Sequence, residues 1–329
     1  MSHKLRVGEL KALYLTEEEV WRIFTIVLTT KSKKSATYKF GLLKAMIENL
    51  YQVNEDAEVT YDQLAYSFTK IYWNLVIHHE LEQGTRGSAV VTKLIEIKQS
   101  YNIPKEMTFD KLDATIQLAA TKRVKAVMKT NVFGALYGDT QGSFYAFDHK
   151  TEQFKFHKVV LTFMRKYQRL LIDLVNYHMA KMIEQLNDVP HINYLLDKVE
   201  SIAKRSTLKP FEKVLVQYFE QKCFYCGREL HKSTIQTHVD HFIPWSFVQS
   251  DQLWNLVLTC SKCNISKNDK LAVRSFLDEM VNRNERMVNL SGLIANKNEL
   301  ATYNKEKIIH LYDYSIQNGY ENIWVPSYR

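Results

Sequence analysis

All four cysteines of the chain fall into two Cys-x-x-Cys pairs, Cys223 with Cys226 and Cys260 with Cys263. Each pair offers two sulfurs from one tight turn, and four such sulfurs are what a tetrahedral zinc requires. Gly227 follows the first pair, at a point where a knuckle often needs positive φ. Two disulfides or four unrelated buried thiols are the alternatives. Disulfides need an oxidising compartment, and the sequence opens on no signal-peptide pattern. Chance does not readily place every cysteine of a chain in such pairs. Four protein sulfurs leave a metal no open position, so the expected Zn²⁺ is structural.

A closed zinc leaves the chemistry to other residues. Asp240, His241 and Asn255 lie between the cysteine pairs, and Asn264, Lys267 and Asn268 follow the second. A hard carboxylate oxygen beside an imidazole suits a divalent cation working with a base that deprotonates water. Asn264 and Asn268 are four apart and would share a helix face, with Lys267 at i+3 from Asn264. Lys267 could neutralise phosphate charge or be a solvated surface lysine. His238 sits two residues before Asp240, hence on the same strand face, and is read as structural or phosphate-contacting. Trp245 and Trp254 are read as packing residues.

The order Cys-x-x-Cys, Asp-His-x-x-Pro, Asn-Leu, Cys-x-x-Cys-Asn resembles the HNH endonuclease motif over roughly residues 220–272. The last histidine of that motif is an asparagine here. The resemblance implies a ββα-metal fold that hydrolyses phosphodiesters. In it His241 is the general base, and Asp240 is one ligand of a single catalytic Mg²⁺ or Mn²⁺. Asn255 pins the loop and orients the histidine. Asn264 is a second metal ligand, and Asn268 a further candidate.

These residues need two strands and a helix to gather them. The first strand is expected at about 234–240, ending in Asp240 and His241. A loop over 244–254 should lead to a second strand at about 256–258, and a helix should start at Ser261 or Cys263.

The other parts of the 329-residue chain read as helical, because only 10 glycines and 5 prolines punctuate it. Thr16 to Glu19 and Thr60 to Gln63 have capping-box form and should open helices. Further helices are expected at about 35–51, 88–101, 108–129, 158–186, 190–204, from Pro210 to 221, and at 304–317. The aromatic runs 144–147 and 154–156 predict a β-hairpin near 144–157. The aromatic tail around Trp324 should pack back on the body. Net charge is +8 and pI about 9.0, which favours a polyanionic partner. Residues 206–329 hold 15 Lys and Arg against 13 Asp and Glu, leaving 29 against 23 for residues 1–205, so most of the excess lies outside the motif. Lys122, Arg123 and Lys125 form a candidate phosphate track, with a solvated helix face as the bland alternative. Lys31, Lys33, Lys34 and Lys39 form a second basic group, read first as a solvated loop.

The expected fold is mostly α with a small embedded α+β module. A helical N-terminal domain (1–205) would bind nucleic acid or a partner, the nuclease module would span 206–272, and a helical extension 273–329. The expected activity is metal-dependent endonuclease cleavage of nucleic acid, DNA first, in restriction or anti-phage defence. A homo-oligomer or a partner subunit of a defence system would fit that role. A catalytically inert zinc-stapled scaffold is the main alternative, but it leaves Asp240, His241, Asn255 and Asn264 unexplained. A zinc hydrolase or deaminase needs an open metal and a glutamate near the ligands, but four sulfurs close the site and His-x-Glu is missing where a deaminase would have it. No apolar run could span a membrane, and the expected location is cytoplasmic.

Overall fold

Both capping boxes form. Thr16 and Glu19, and Thr60 and Gln63, exchange side-chain and backbone hydrogen bonds reciprocally. The computed structural model describes residues 5–187 except 13, 30, 31, 33, 85 and 86, then 208–230, 237–248, 251–291, 300, 303–321 and 323–326. The chain is mostly helical and divides into two units, residues 1–165 with 170–204, and 166–169 with 205–329.

In the first unit the helices are α1 (Glu17–Leu28), α2 (Tyr38–Glu48), α3 (Tyr61–Trp73), α4 (Ala89–Ser100), α5 (Ala114–Asn131) and α6 (Phe133–Asp139). They are followed by α7 (Lys158–Lys166) and α8 (Gln168–Asn187), so the single helix expected over 158–186 is interrupted at Tyr167. The helix α3 runs on into a π-helical turn, Asn74–His78. The expected hairpin exists as β3 (Tyr145–Asp148) and β4 (Gln153–Phe156). It is the centre of a sheet the periodicity did not announce. The two-residue β1 (Val7–Gly8) pairs with β3, and β2 (Glu58–Thr60) with β4, all antiparallel. Its aromatic residues face the core: Tyr145 and Phe154 are fully buried and stack at 4.4 Å. The aromatic residues of α3 are mostly core as well: Tyr61, Phe68, Tyr72 and Trp73 are buried, whereas Tyr66 is exposed. The expected helix at 190–204 lies outside the described residues, as do Lys31 and Lys33.

The second unit begins with α9 (Lys209–Tyr218), which has Pro210 in its first turn, where a missing N–H costs nothing. Then come β5 (Thr237–His241), the short α10 (Trp245–Val248), β6 (Leu256–Cys260) and α11 (Ser261–Lys267). The strands β5 and β6 are antiparallel, with Asp240 opposite Val257 and His241 opposite Leu256. Packing of α11 against this pair makes the ββα arrangement. Beyond it lie β7 (Leu271–Ala272), α12 (Ser275–Ser291), α13 (Lys305–Gln317) and β8 (Ile323–Trp324). The strands β7 and β8 pair in parallel, and Trp324 is buried with its ring 5.0 Å from that of Tyr225. No helix among the described residues is long and apolar enough to cross a membrane.

Candidate active site

The first knuckle is a tight turn. The Cys223 N–H donates to Arg228 O at 2.8 Å, the Gly227 N–H donates to Cys223 O at 2.8 Å, and Gly227 has φ +69°. The second knuckle joins β6 to α11: Cys260 is the N-cap of α11 and Cys263 lies in its first turn. The Phe224 N–H donates to Leu258 O, fastening the knuckle to β6. One Sγ from each of the four cysteines lies within 4.8 Å of the others, and none is in a disulfide. Bonds of about 2.3 Å to a tetrahedral zinc separate sulfurs by about 3.8 Å. The Cys226 and Cys260 sulfurs are 3.9 Å apart, so the residues fit that ion. Burial works to raise the Cys223 thiol, but the Thr259 hydroxyl and knuckle N–H groups outweigh it and bring it to about 7. Burial first, then the charge and hydrogen bonding of neighbouring sulfurs, push Cys226 and Cys263 up. Four thiolates this close are stable together only around a cation.

Asp240, His241, Asn264 and Asn268 line one groove of about 410 Å³, together with Pro244 and Trp245. The end of β5 supplies the first two residues and α11 the asparagines. Asp240 is 8 % exposed and His241 5 %, so each reaches the groove from a largely dry setting. Asn255 is fully buried. Its amide accepts from Ile243 N and donates to Ile243 O, both at 2.9 Å, and its own carbonyl accepts from Phe242 N at 2.8 Å. Three hydrogen bonds thus fix the two residues that follow His241.

Two predicted residues need correction. Lys267 is neither a surface lysine nor placed to touch nucleic-acid phosphate: its side chain is fully buried. Its ammonium pairs with Asp240 Oδ2 at 3.0 Å, donates to the His241 carbonyl at 2.7 Å and lies 5.9 Å from the centre of the Tyr225 ring. A buried ammonium needs such partners, because desolvation otherwise outweighs its placement. Asn268 does not continue the helix face of Asn264. It is the C-cap of α11, at φ +47° and ψ −124°, a conformation favouring glycine. It stays on the groove wall, exposed.

Two further residues were missed. Asp251 Oδ1 lies 2.8 Å from His241 Nε2, with both side chains mostly buried. The fully buried Tyr225 donates its hydroxyl to Asp240 Oδ2 at 2.8 Å. Burial first, then the charge of Asp240, hold the Tyr225 phenol well above its usual range, so it remains a donor. Both polar partners of Asp240 therefore use Oδ2, and among the described residues none bonds Oδ1. Nothing in the sequence marks Asp251, which lies ten residues from His241 on a loop. Tyr225 sits inside the first knuckle, where the cysteine spacing draws attention away from it.

His238 pairs with Thr259 across the strands and is not on the groove wall. Trp254 is fully buried, as expected of a packing residue, whereas Trp245 is half-buried on the groove wall. In the first unit the basic track on α5 is uneven. Lys125 is ion-paired with Asp62 at 2.8 Å and Glu152 at 2.7 Å, and Arg123 lies 3.6 Å from Glu96. Lys122 is exposed.

Two knuckles, a strand pair and a following helix, with a carboxylate, an imidazole and an asparagine facing one groove, make a testable family signature. No curated protein and no solved structure matches the chain. Residues 223–273 match the family profile described as HNH endonuclease, so that segment is similar to an HNH endonuclease domain.

Proposed function

We propose that the protein is a metal-dependent endonuclease that hydrolyses phosphodiester bonds, with DNA as the substrate. The observation that carries this reading is the pairing of His241 Nε2 with Asp251 beside Asp240 and Asn264 on one groove. A neutral imidazole whose Nε2–H donates to a carboxylate has its lone pair on Nδ1. His241 then takes a proton from water at Nδ1, and Asp251 stabilises the imidazolium that results. The water oxygen bonds to phosphorus as the bond to the leaving oxygen breaks, and that oxygen recovers a proton. A positioned base of this kind contributes on the order of 10²–10⁴-fold.

Asp240, through Oδ1, would hold a Mg²⁺ or Mn²⁺ together with Asn264, and Asn268 is a third candidate. When bound, such an ion stabilises the charge that develops on the phosphate. Tyr225 and Lys267 fix the rotamer of Asp240 by engaging its Oδ2. Asn255 holds the turn after His241, so the imidazole cannot swing out of the groove. The four cysteines would hold Zn²⁺ as a structural ion without touching substrate.

We assign residues 1–205 to gripping nucleic acid or a partner, 206–272 to cleavage and 273–329 to support of the module. Lys122 is the member of the α5 cluster best placed for phosphate. A helical partner region joined to an HNH module is in keeping with restriction or anti-phage defence. The test is incubation of purified protein with plasmid, single-stranded DNA and RNA, with and without Mg²⁺. Cleavage should need the metal and be lost in His241→Ala, while filter binding of DNA persists. Cleavage by His241→Ala at the wild-type rate would refute the assignment of the base.

A further inference from the structure

A second cavity lies in the first unit, formed by the end of α1, by Thr29, Ser32 and Lys34, by Phe40 of α2 and by the last turns of α8. It measures about 520 Å³, within the range of sites that take small ligands. Lys34, His178 and Lys181 all line it, and among the described residues no aspartate or glutamate does. The nearby carboxylate is Asp139, which is already engaged by Lys39 at 2.6 Å and by the Ser32 hydroxyl. Lys34 donates to two carbonyls, Thr29 O at 2.6 Å and Ser32 O at 3.3 Å, which orient its ammonium without neutralising it.

These basic groups are arranged rather than scattered. The Lys34 ammonium sits 5.1 Å from the centre of the Phe40 ring, and the His178 ring stacks on Phe40 at 6.4 Å and 25°. Phe40 is buried, so it fixes both groups from below. Lys181 is one helical turn past His178 on α8, on the same face. The cluster strains its own charges. Burial first, then the charge of Lys39, bring Lys34 down to about 8, while burial and the charges of Lys181 and Lys34 pull His178 below its usual value. An anion would relieve this repulsion through charge-assisted hydrogen bonds. The other wall is apolar, made by Leu28 and Met182, and suits a flat ring.

We propose that this cavity binds a small phosphorylated ligand of the nucleotide class, with its phosphate held by Lys34, His178 and Lys181 and its base against Leu28 and Met182. The site belongs to the first unit and does not depend on the nuclease reading.

The test is titration calorimetry of the full chain with AMP and with pyrophosphate. AMP should bind saturably at one site per chain, and His241→Ala should bind it as wild type does. Lys34→Gln with Lys181→Gln should weaken AMP at least tenfold. Should that double variant fail to fold, Met182→Trp, which narrows the cavity without altering a charge, should weaken AMP by a similar factor. No saturable binding of either probe at millimolar concentration overturns the proposal, as does binding that survives these changes. A short DNA duplex that displaces AMP competitively would assign the lysines to backbone phosphate instead and overturn the small-ligand reading.

Discussion

Replacing Lys267 with methionine keeps most of the side-chain volume and removes the charge, so it isolates the buried ion pair with Asp240. The two groups are 3.0 Å apart, and the side chains are 0 % and 9 % exposed. At that distance, with an effective dielectric of about 20, the Coulomb attraction is on the order of 5 kcal/mol. The His241 carbonyl loses a charged donor as well. Breaking a buried pair from one side costs about 3–5 kcal/mol, because the remaining charge has no counter-ion. With a urea slope of about 2 kcal/mol/M, the midpoint for the second unit should fall by about 2 M. Trp245, Trp254 and Trp324 lie in that unit, and urea titrations followed by tryptophan fluorescence, with Trp21 and Trp73 of the first unit replaced by Phe, measure the shift. Asp240→Asn combined with Lys267→Met should recover a large part of the loss, since it removes the stranded carboxylate. Mg²⁺ should stabilise Lys267→Met more than wild type if Asp240 also holds the cation. A midpoint shift below about 0.5 M in Lys267→Met, corresponding to about 1 kcal/mol at that slope, would refute the claim that this pair is a buried structural element.

Asp251→Ala should lower kcat by about 10–100-fold without weakening DNA binding, the usual cost of losing a group that orients another ligand or base; single-turnover cleavage set against filter binding separates the two effects. Cys226→Ser, or chelation strong enough to strip zinc, should unfold the 223–273 segment, seen as loss of protection in hydrogen exchange, and elemental analysis should return one zinc per folded chain. Lys122→Gln should reduce the slope of log K against log salt by up to about 0.9, the value for one duplex phosphate contact. Lys125→Gln should leave that slope nearly unchanged, because Lys125 is occupied by Asp62 and Glu152.

The parts legible in the sequence are those set by short-range geometry. Cysteine spacing dictates a knuckle because only a tight turn brings two sulfurs to one point. The two capping boxes were readable for the same reason, and so was the alternation of Phe144–Phe147 against Phe154–Phe156. In the site, the adjacency of Asp240 and His241 at a strand end carried most of the signal. What was not legible depends on residues meeting through space. Asp251 reaches His241 from a loop, where no periodicity links it to β5. Lys267 looked like a phosphate-contacting or solvated lysine because helical spacing says which residues share a face but not what covers that face. Here Tyr225 and Asp240 cover it. Asn268 looked helical until the helix ended one residue earlier.

The region beyond the family match bears on the site as well. Arg283 on α12 is buried, its guanidinium lowered to about 9 by that burial, and it donates to the carbonyls of Leu256 and Leu253 and to Asn284. Asn284 in turn donates to Trp254 O at 2.8 Å. These three carbonyls flank Asn255 in the chain, and Asn255 fixes Phe242 and Ile243 next to His241. The imidazole is therefore positioned through two steps from a helix that begins just past the matched segment. A guanidinium satisfied by carbonyls rather than carboxylates holds backbone without adding a counter-charge to the groove. That makes the helix at 275–291 a support of the groove's backbone rather than an appendage to it.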